Sequence, residues 1–413
     1  MSSFWVGVVL FALAIGLSIA LHEFGHFATA KAFGMRVTEF FVGFGPRLWS
    51  TVRGETEYGL KAVPAGGYVR IAGMTPQEEL PVEDSDKAFY RYPPWQKAVV
   101  MVAGSAMHFL IAFVLLVVAG LTVGLPARAA VIGQVADCVT PDWTLDADGV
   151  LRECVPGVDP TAPAKVAGLQ AGDVVLAVGA EETTSYLDLV ETVRAAGPGP
   201  VVISYQRDRE PAQVRVDLVA AQRPPLDPEV DWTDPDVTTE TVGTLGVLPA
   251  ATQTYGLVGA VGAATALMRD VVVGTVEAIA TFPAKVALLV EAVSGQERSP
   301  ESPISVVGAS RVGGQALEAG SGLGFLLLLA ALNVFLGMFN LLPLPPLDGG
   351  HLFLIIVDKV RSWLARARGR AEPDPVDVAR LVPLTLVVIV FMGGVTILAV
   401  LADVINPIAN PFQ

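Results

Sequence analysis

The sequence predicts a polytopic α-helical membrane protein that has four transmembrane helices, a small membrane-associated β-sheet and a compact extracytoplasmic domain. Of its 413 residues, 52% are hydrophobic, and the mean hydropathy of +0.55 exceeds what soluble domains ordinarily reach. Spanning a bilayer takes roughly 20 mostly apolar residues, and several stretches meet that requirement. They run approximately over residues 4–30, 98–125, 322–347 and 381–405.

The first apolar stretch is predicted to remain in the protein as a membrane helix. No basic segment of the kind that opens a signal peptide precedes it, because the first Lys or Arg is Lys31. After it, residues 36–71 contain short strand-like segments separated by glycine-containing turns. These segments lie at 37–41, 47–52, 56–61 and 67–71. We expect them to form the membrane-associated sheet, which either only supports the helices or offers an edge for an added strand.

The distribution of basic residues predicts the orientation in the membrane. Lys and Arg are concentrated in residues 31–97 and 358–380, and neither the first 30 nor the last 33 residues contain any. Because basic loops stay on the cytoplasmic side, both termini and residues 126–320 are predicted to be extracytoplasmic.

Cys138 and Cys154 fall in that outer segment. A disulfide there is favoured over two free thiols, and it would stabilise the fold by about 3 kcal/mol.

The outer segment contains a domain-like pattern followed by a linker. Residues 163–178 combine a short helix, a glycine turn and a buried strand, and a helix and another strand are predicted at 186–196 and 201–207. This order resembles a bacterial PDZ domain, with an insertion at 141–160 that the cysteines bracket. Residues 221–240 form a polar, proline-rich linker. The apolar stretch 254–293 is predicted to lie on the outer membrane surface, because charged residues inside it make a spanning position costly. They are Arg269, Asp270, Glu277 and Lys285.

The first apolar stretch contains the run His22-Glu23-Phe24-Gly25-His26, an H-E-x-x-H pattern. On a helix, residues four apart share a face, so both imidazoles reach one metal ion while Glu23 flanks it. In such sites zinc polarises a scissile carbonyl and acidifies a water, and the glutamate transfers the proton. A histidine pair bonded only within the helix bundle is the alternative, and it leaves Glu23 unexplained. Ionisable residues within membrane helices generally mark function.

Two histidines need a third ligand, and Asp348 is the predicted one. Prolines at 343, 345 and 346 and glycines at 349 and 350 break the third apolar stretch. Irregular backbone at membrane depth is tolerated only where it lines a cavity or is buried in protein. A carboxylate at this break suits a site of two histidines and one aspartate. Taken alone, Asp348 would be a turn residue, but with His22 and His26 present the ligand interpretation is favoured.

These motifs together resemble the site-2 protease family over nearly the whole chain. The likeness includes the H-E-F-G-H run, the N-x-x-P-x-P-x-x-D-G-G-H run that begins at Asn340, and the domain between them. Further details are similar to actinobacterial regulated intramembrane proteases. They are the two cysteines and the runs at 41–46, 54–58, 71–76 and 303–309. The resemblance implies Zn2+ bound by His22, His26 and Asp348, Glu23 as general base, and Asn340 steadying the substrate or oxyanion. The sheet would then clamp the substrate.

Two further histidines lie near these motifs. The second apolar stretch reads Ala103-Gly104-Ser105-Ala106-Met107-His108, where relatives typically show A-G-P-x-x-N. A neutral imidazole can donate or accept hydrogen bonds as an amide does, so His108 is predicted to support the site from behind the ligands. His351, three residues past Asp348, is expected to be a local hydrogen-bonding residue.

The resulting hypothesis is a multi-pass enzyme of the plasma membrane, monomeric, with its active site toward the cytoplasm. Its substrates would be single-pass membrane proteins of the anti-sigma factor type, already trimmed outside. The net charge of −14 argues against a nucleic-acid partner. A zinc transporter and a catalytically silent PDZ scaffold are the alternatives, weakened by the absence of a sequence repeat and by the intact Glu23. The chain is divided into 1–125, 126–222 (the PDZ domain), 223–320 and 321–413.

Overall fold

The structure is a computed structural model that describes most of the chain in two compact units. The described residues are 3–74, 80–81, 84–145, 151–208, 210–227, 230, 234, 237–371, 373–374, 376 and 381–412. One unit comprises the residues up to Thr122 together with those from Gly256 onward, and the other is Val123–Tyr255.

Helices dominate the first unit and strands the second. The helices are α1 (Ser3–Ala32), α2 (Pro94–Thr122), α3 (Pro163–Val166), α4 (Tyr186–Ala196), α5 (Leu257–Val293), α6 (Val306–Glu318), α7 (Gly322–Asn340), α8 (Asp348–Ala367) and α9 (Val382–Ile405). The strands are β1 (Val37–Arg53), β2 (Thr56–Ile71), β3 (Leu125–Pro126), β4 (Ala130–Val135), β5 (Val174–Val178), β6 (Glu181–Glu182), β7 (Gly199–Arg207), β8 (Glu210–Arg223), β9 (Glu240–Thr244), β10 (Val247–Pro249) and β11 (Thr252–Gln253).

Among the described residues, five helices are long and apolar enough to cross a membrane, namely α1, α2, α5, α7 and α9. The sequence analysis predicted four spans, and α5 is the additional one. It has 37 residues, more than a bilayer crossing needs. Its length leaves an 18-residue window that contains at most two charged residues. The predicted count of four therefore differs from the five candidates, and a surface position for α5 stays a prediction.

The third predicted span is shorter than expected. It was predicted to run to residue 347, but α7 ends at Asn340 and a new helix, α8, begins at Asp348. Proline lacks the amide that continues a helix, so the intervening prolines account for the early end. Helix α8 was not predicted, and it begins at the proposed aspartate ligand and continues into the predicted basic loop.

Helix α6 was also not predicted, and it packs closely on α1. A Cβ added at Gly7 of α1 would lie 2.8 Å from Gly314 Cα, and one at Gly313 would lie 2.5 Å from the Phe11 ring. Glycines let two helix backbones approach this closely. At its N-terminus α6 adjoins a buried ion pair, in which Arg298 Nη2 lies 2.8 Å from Asp403 Oδ1 of α9. Asp403 Oδ2 accepts from the backbone amide just before α6.

The first sheet is made of the two long antiparallel strands β1 and β2. Phe40 of β1 pairs with Val69 on one side and with Tyr58 on the other, so the bent strands produce the four-segment arrangement that the sequence predicted. A buried cluster ties this sheet to the helices. It contains Ala30, Met35, Val37, Ile71, Phe89, Val100 and Met101. The sheet is thereby fixed against the end of α1 that carries the H-E-x-x-H run.

The second unit is a sheet of strand order β10-β4-β5-β7-β8-β9, with β6 paired to β5. Helix α4 contributes Leu189 to a core that also contains Ile132, Val175 and Ile203. The chain enters and leaves through adjacent strands, because β3 pairs with β11. Cys138 and Cys154 are joined by a disulfide.

The compact unit is longer than the predicted PDZ segment of 126–222. Strands β9 and β10 belong to its sheet, although the sequence analysis assigned them to the linker region. They are short and follow a proline-rich, acidic stretch, so composition alone did not separate them from it. Residues 228–229, 231–233 and 235–236 of the predicted linker lie outside the described residues.

Candidate metal centre

The structure brings the three predicted ligands together. Asp348 Oδ2 lies 3.3 Å from His22 Nε2 and 3.2 Å from His26 Nε2. The two Nε2 atoms are 3.2 Å apart. Three potential ligand atoms therefore form a nearly equilateral triangle, and both histidines are buried.

The triangle has the dimensions of a zinc site. Zinc with tetrahedral ligands at about 2.0–2.1 Å places neighbouring ligand atoms about 3.3 Å apart, which matches the observed separations. Buried Asp348 Oδ2 has no hydrogen-bond partner among the described residues. An orphaned buried carboxylate oxygen beside two imidazole nitrogens is costly unless a cation lies among them. The residues present therefore fit a bound divalent zinc ion.

Helix α1 sets the spacing of the two histidines, and α2 orients one of them. His26 Nδ1 donates to the carbonyl of Val100 at 2.7 Å, so its Nε2 lone pair faces the triangle. The helices come this close because both carry glycine at the contact. A Cβ at Gly25 would lie 2.5 Å from the Ala103 carbonyl oxygen, and one at Gly104 would lie 2.3 Å from His26 Nε2.

Asp348 is positioned by the tight turn that precedes α8. A Cβ at Gly349 would lie 2.2 Å from the Leu342 carbonyl oxygen, and one at Gly350 would lie 2.8 Å from the Leu344 carbonyl carbon. The loop after α7 therefore folds directly onto the start of α8, which only glycine permits there. As the first residue of α8, Asp348 also lies at the end of the helix dipole that favours a negative charge.

Glu23 lies between the triangle and the end of β2. Its carboxylate lies near the backbone of Val69, and a Cβ at Gly67 would lie 3.3 Å from Glu23 Cγ. The carboxylate is therefore held beside the ligands and beside strand residues 67–71. In the described part of the sheet, those strand residues pair with β1 on one side only.

The other predicted site residues do not belong to this group of three. Asn340 is the last residue of α7, and His351 follows Asp348 by one turn in α8. His108 of α2 is buried, and its Nδ1 lies 2.9 Å from Oδ1 of Asn333. The sequence analysis did not single out Asn333, although a buried amide inside an apolar helix is the kind of signal that marks a site.

Comparison with known proteins agrees with this geometry. Residues 10–401 match the peptidase family M50. Zinc metalloprotease Rip1 of Mycobacterium tuberculosis is 42% identical over 413 residues that cover 98% of each chain, and Rip1 of Mycolicibacterium smegmatis is 41% identical over 98% of this chain and 99% of its own. Zinc metalloprotease RasP of Bacillus licheniformis is 25% identical over 92% of this chain and 97% of its own. The chain therefore belongs to peptidase family M50, the site-2 protease family, and is a metalloendopeptidase.

Proposed function

We propose that this enzyme uses zinc held by His22, His26 and Asp348 to cleave peptide bonds within the membrane segments of single-pass proteins. The ligand triangle carries the proposal, because two of its corners lie on a helix long and apolar enough to span a bilayer. A charged cluster at that depth is retained for function. The relatives are named as zinc metalloproteases, which supports the choice of metal.

Glu23 is the proposed general base. A bound zinc ion supplies Lewis acidity at this point, polarising a carbonyl and lowering the pKa of water. The Glu23 carboxylate accepts the proton of the attacking water and delivers it to the departing amide nitrogen. Asn340, at the end of α7, is proposed to donate to the substrate carbonyl as charge develops there.

The substrate is proposed to bind as an added strand. A membrane helix has all its amides satisfied, so it must unwind before its backbone is cut. The one-sided pairing of residues 67–71 leaves backbone groups available to an extended segment. Because this edge also contacts Glu23, a segment bound there would pass the proposed base.

The second unit is proposed to be the extracytoplasmic PDZ domain. A groove of about 140 Å3 lies between α4 and the β9–β10 segment, lined by Leu189, Val193 and Gly246. Peptides bind PDZ domains as an added strand at a sheet edge.

The proposed orientation places residues 31–97 in the cytoplasm, so a reporter fused after Asp86 should be cytoplasmic and one near Gly179 exported. The reverse pattern would discard this orientation.

The proposed substrates are single-pass proteins of the anti-sigma factor type after a first extracytoplasmic cut, and the proposed enzyme is a monomer of the plasma membrane. Co-expression of pre-trimmed single-pass candidates with wild type or Glu23→Gln tests this. We expect trimmed fragments to accumulate only with Glu23→Gln, and mass spectrometry of wild-type products to place the cut inside the apolar segment. Glu318→Gln, an exposed residue of α6, is the matched control and should behave as wild type. Cleavage by Glu23→Gln, or cuts confined to soluble regions, would refute the proposal.

A further inference from the structure

The two histidine ligands on α1 are supported in different ways. His26 donates its Nδ1 proton to the Val100 carbonyl, the usual arrangement by which an outer group fixes a metal-binding imidazole. The Nδ1 atom of His22 is buried and has no hydrogen-bond partner among the described residues. No described residue therefore fixes the ring of His22 through a hydrogen bond at Nδ1.

The ring of His108 lies against the ring of His22. The ring centroids of the two histidines are 4.9 Å apart, with 38° between their planes, which is within the range of favourable ring contacts. His108 is only 2% exposed. It is carried by α2, the same helix that supplies the carbonyl that orients His26.

His108 is itself held in a single orientation by α7. Asn333 Nδ2 donates to the Leu329 carbonyl at 2.9 Å, so Asn333 Oδ1 is the atom turned toward His108. That oxygen lies 2.9 Å from His108 Nδ1, which must therefore carry the proton. The backbone of α7 is also close, because a Cβ at Gly337 would lie 3.1 Å from His108 Cβ. The imidazole is confined between α7 and His22.

We propose that His108 and Asn333 form a positioning pair that fixes the ring of His22 as a zinc ligand. In place of a hydrogen bond to His22 Nδ1, the pair provides a ring contact from His108. The side-chain amide of Asn333 anchors His108 on α7. Neither residue belongs to the group of three that surrounds the metal position. This inference rests on the proposed zinc site. Loss of outer groups of this kind typically costs about 10–100-fold in metal affinity.

The test is zinc affinity, measured by chelator competition on the purified full chain in detergent, together with the visible spectrum of the Co2+-substituted protein. His108→Leu removes the ring contact, and Asn333→Leu removes only its anchor. Both should weaken zinc binding by about 10–100-fold and shift the Co2+ bands. Asn333 does not contact the ligands, so a purely structural role would not alter those bands.

Ser105→Ala is the matched control. Ser105 is buried on the same helix, and its Oγ has no hydrogen-bond partner among the described residues, so its loss should leave affinity and spectrum unchanged. Should His108→Leu fail to fold, Asn333→Leu and His108→Asn carry the test. Folded variants with wild-type affinity and spectrum overturn the pair while leaving the zinc site intact. A wild type that binds no zinc overturns the site itself and the pair with it.

Discussion

Gly104 of α2 lies directly against both imidazoles of the metal centre. A Cβ added there would be 2.3 Å from His26 Nε2 and 2.7 Å from His22 Cε1. Alanine normally favours a helix over glycine by about 1 kcal/mol. Gly104→Ala is therefore expected to damage the site through one methyl group, although it removes no ligand and suits the helix.

The structure gives the size of the effect. Ordinary van der Waals contact begins near 3.4 Å, so the methyl group is about 1.1 Å too close to His26 Nε2, the proposed ligand atom, and about 0.7 Å too close to His22 Cε1. Metal–ligand distances tolerate deviations of about 0.2 Å. The required displacement is several times that tolerance. We expect Gly104→Ala to bind zinc at least about 100-fold more weakly than wild type and to lose proteolytic activity as a result.

The assay measures the zinc content and zinc affinity of purified Gly104→Ala. The helical content is measured on the same sample to establish that the protein is folded. Gly16→Ala is the matched control, because it is also a helix glycine, on α1, and nothing lies within 4 Å of its added Cβ. The control should keep zinc and be slightly more stable. A folded Gly104→Ala enzyme with wild-type zinc affinity would refute the placement of α2 against the ligands.

Three further outcomes follow from the contacts outside the metal centre. Arg298→Met leaves the buried carboxylate of Asp403 without its cation and should lower the free energy of unfolding by about 3–5 kcal/mol. The melting temperature should fall, and the double variant Arg298→Met/Asp403→Leu should partly restore it. Hydrogen bonds, first from Lys31, hold the pKa of Glu55 at about 2, well below its ordinary value of 4.5. The resulting stability is present above about pH 4.5 and is lost as the pH falls toward 2, so the melting temperatures of wild type and Glu55→Gln should converge over that range; a constant difference would contradict it. Replacing residues 123–255 with a short linker, which the pairing of β3 with β11 permits, should spare cleavage of a pre-trimmed substrate and allow cutting of an untrimmed one. Loss of both in a zinc-loaded enzyme would show instead that this unit recognises the substrate.

The proximity of His22, His26 and Asp348 could be predicted because its signals are local. His22 and His26 are four residues apart on one helix, and Asp348 follows a proline-rich break in an apolar segment. Histidine and aspartate are also residue types with a restricted set of chemical roles inside an apolar segment. The sheet at 36–71 was predictable for a similar reason, since glycines such as Gly43, Gly54 and Gly67 separate its strand-like segments.

The remaining features depend on packing that no local pattern encodes. Helix α6 is rich in glycine, which disfavours helices in isolation, and its reason for forming is the close contact with α1. The role of Asn333 depends on Leu329 and on His108, 225 residues away in sequence. The charged residues of α5 favour a surface position, whereas the helix is long enough to leave an 18-residue window with at most two of them.

The most direct test of the account is zinc stoichiometry and cleavage measured on the same purified samples, reconstituted with a pre-trimmed single-pass substrate. Wild type and Glu23→Gln should each carry about one zinc per chain, as one ligand set implies, and only wild type should cut. Asp348→Ala should lose both zinc and cleavage. Cleavage by zinc-free wild type, or by Glu23→Gln at the wild-type rate, would contradict the account.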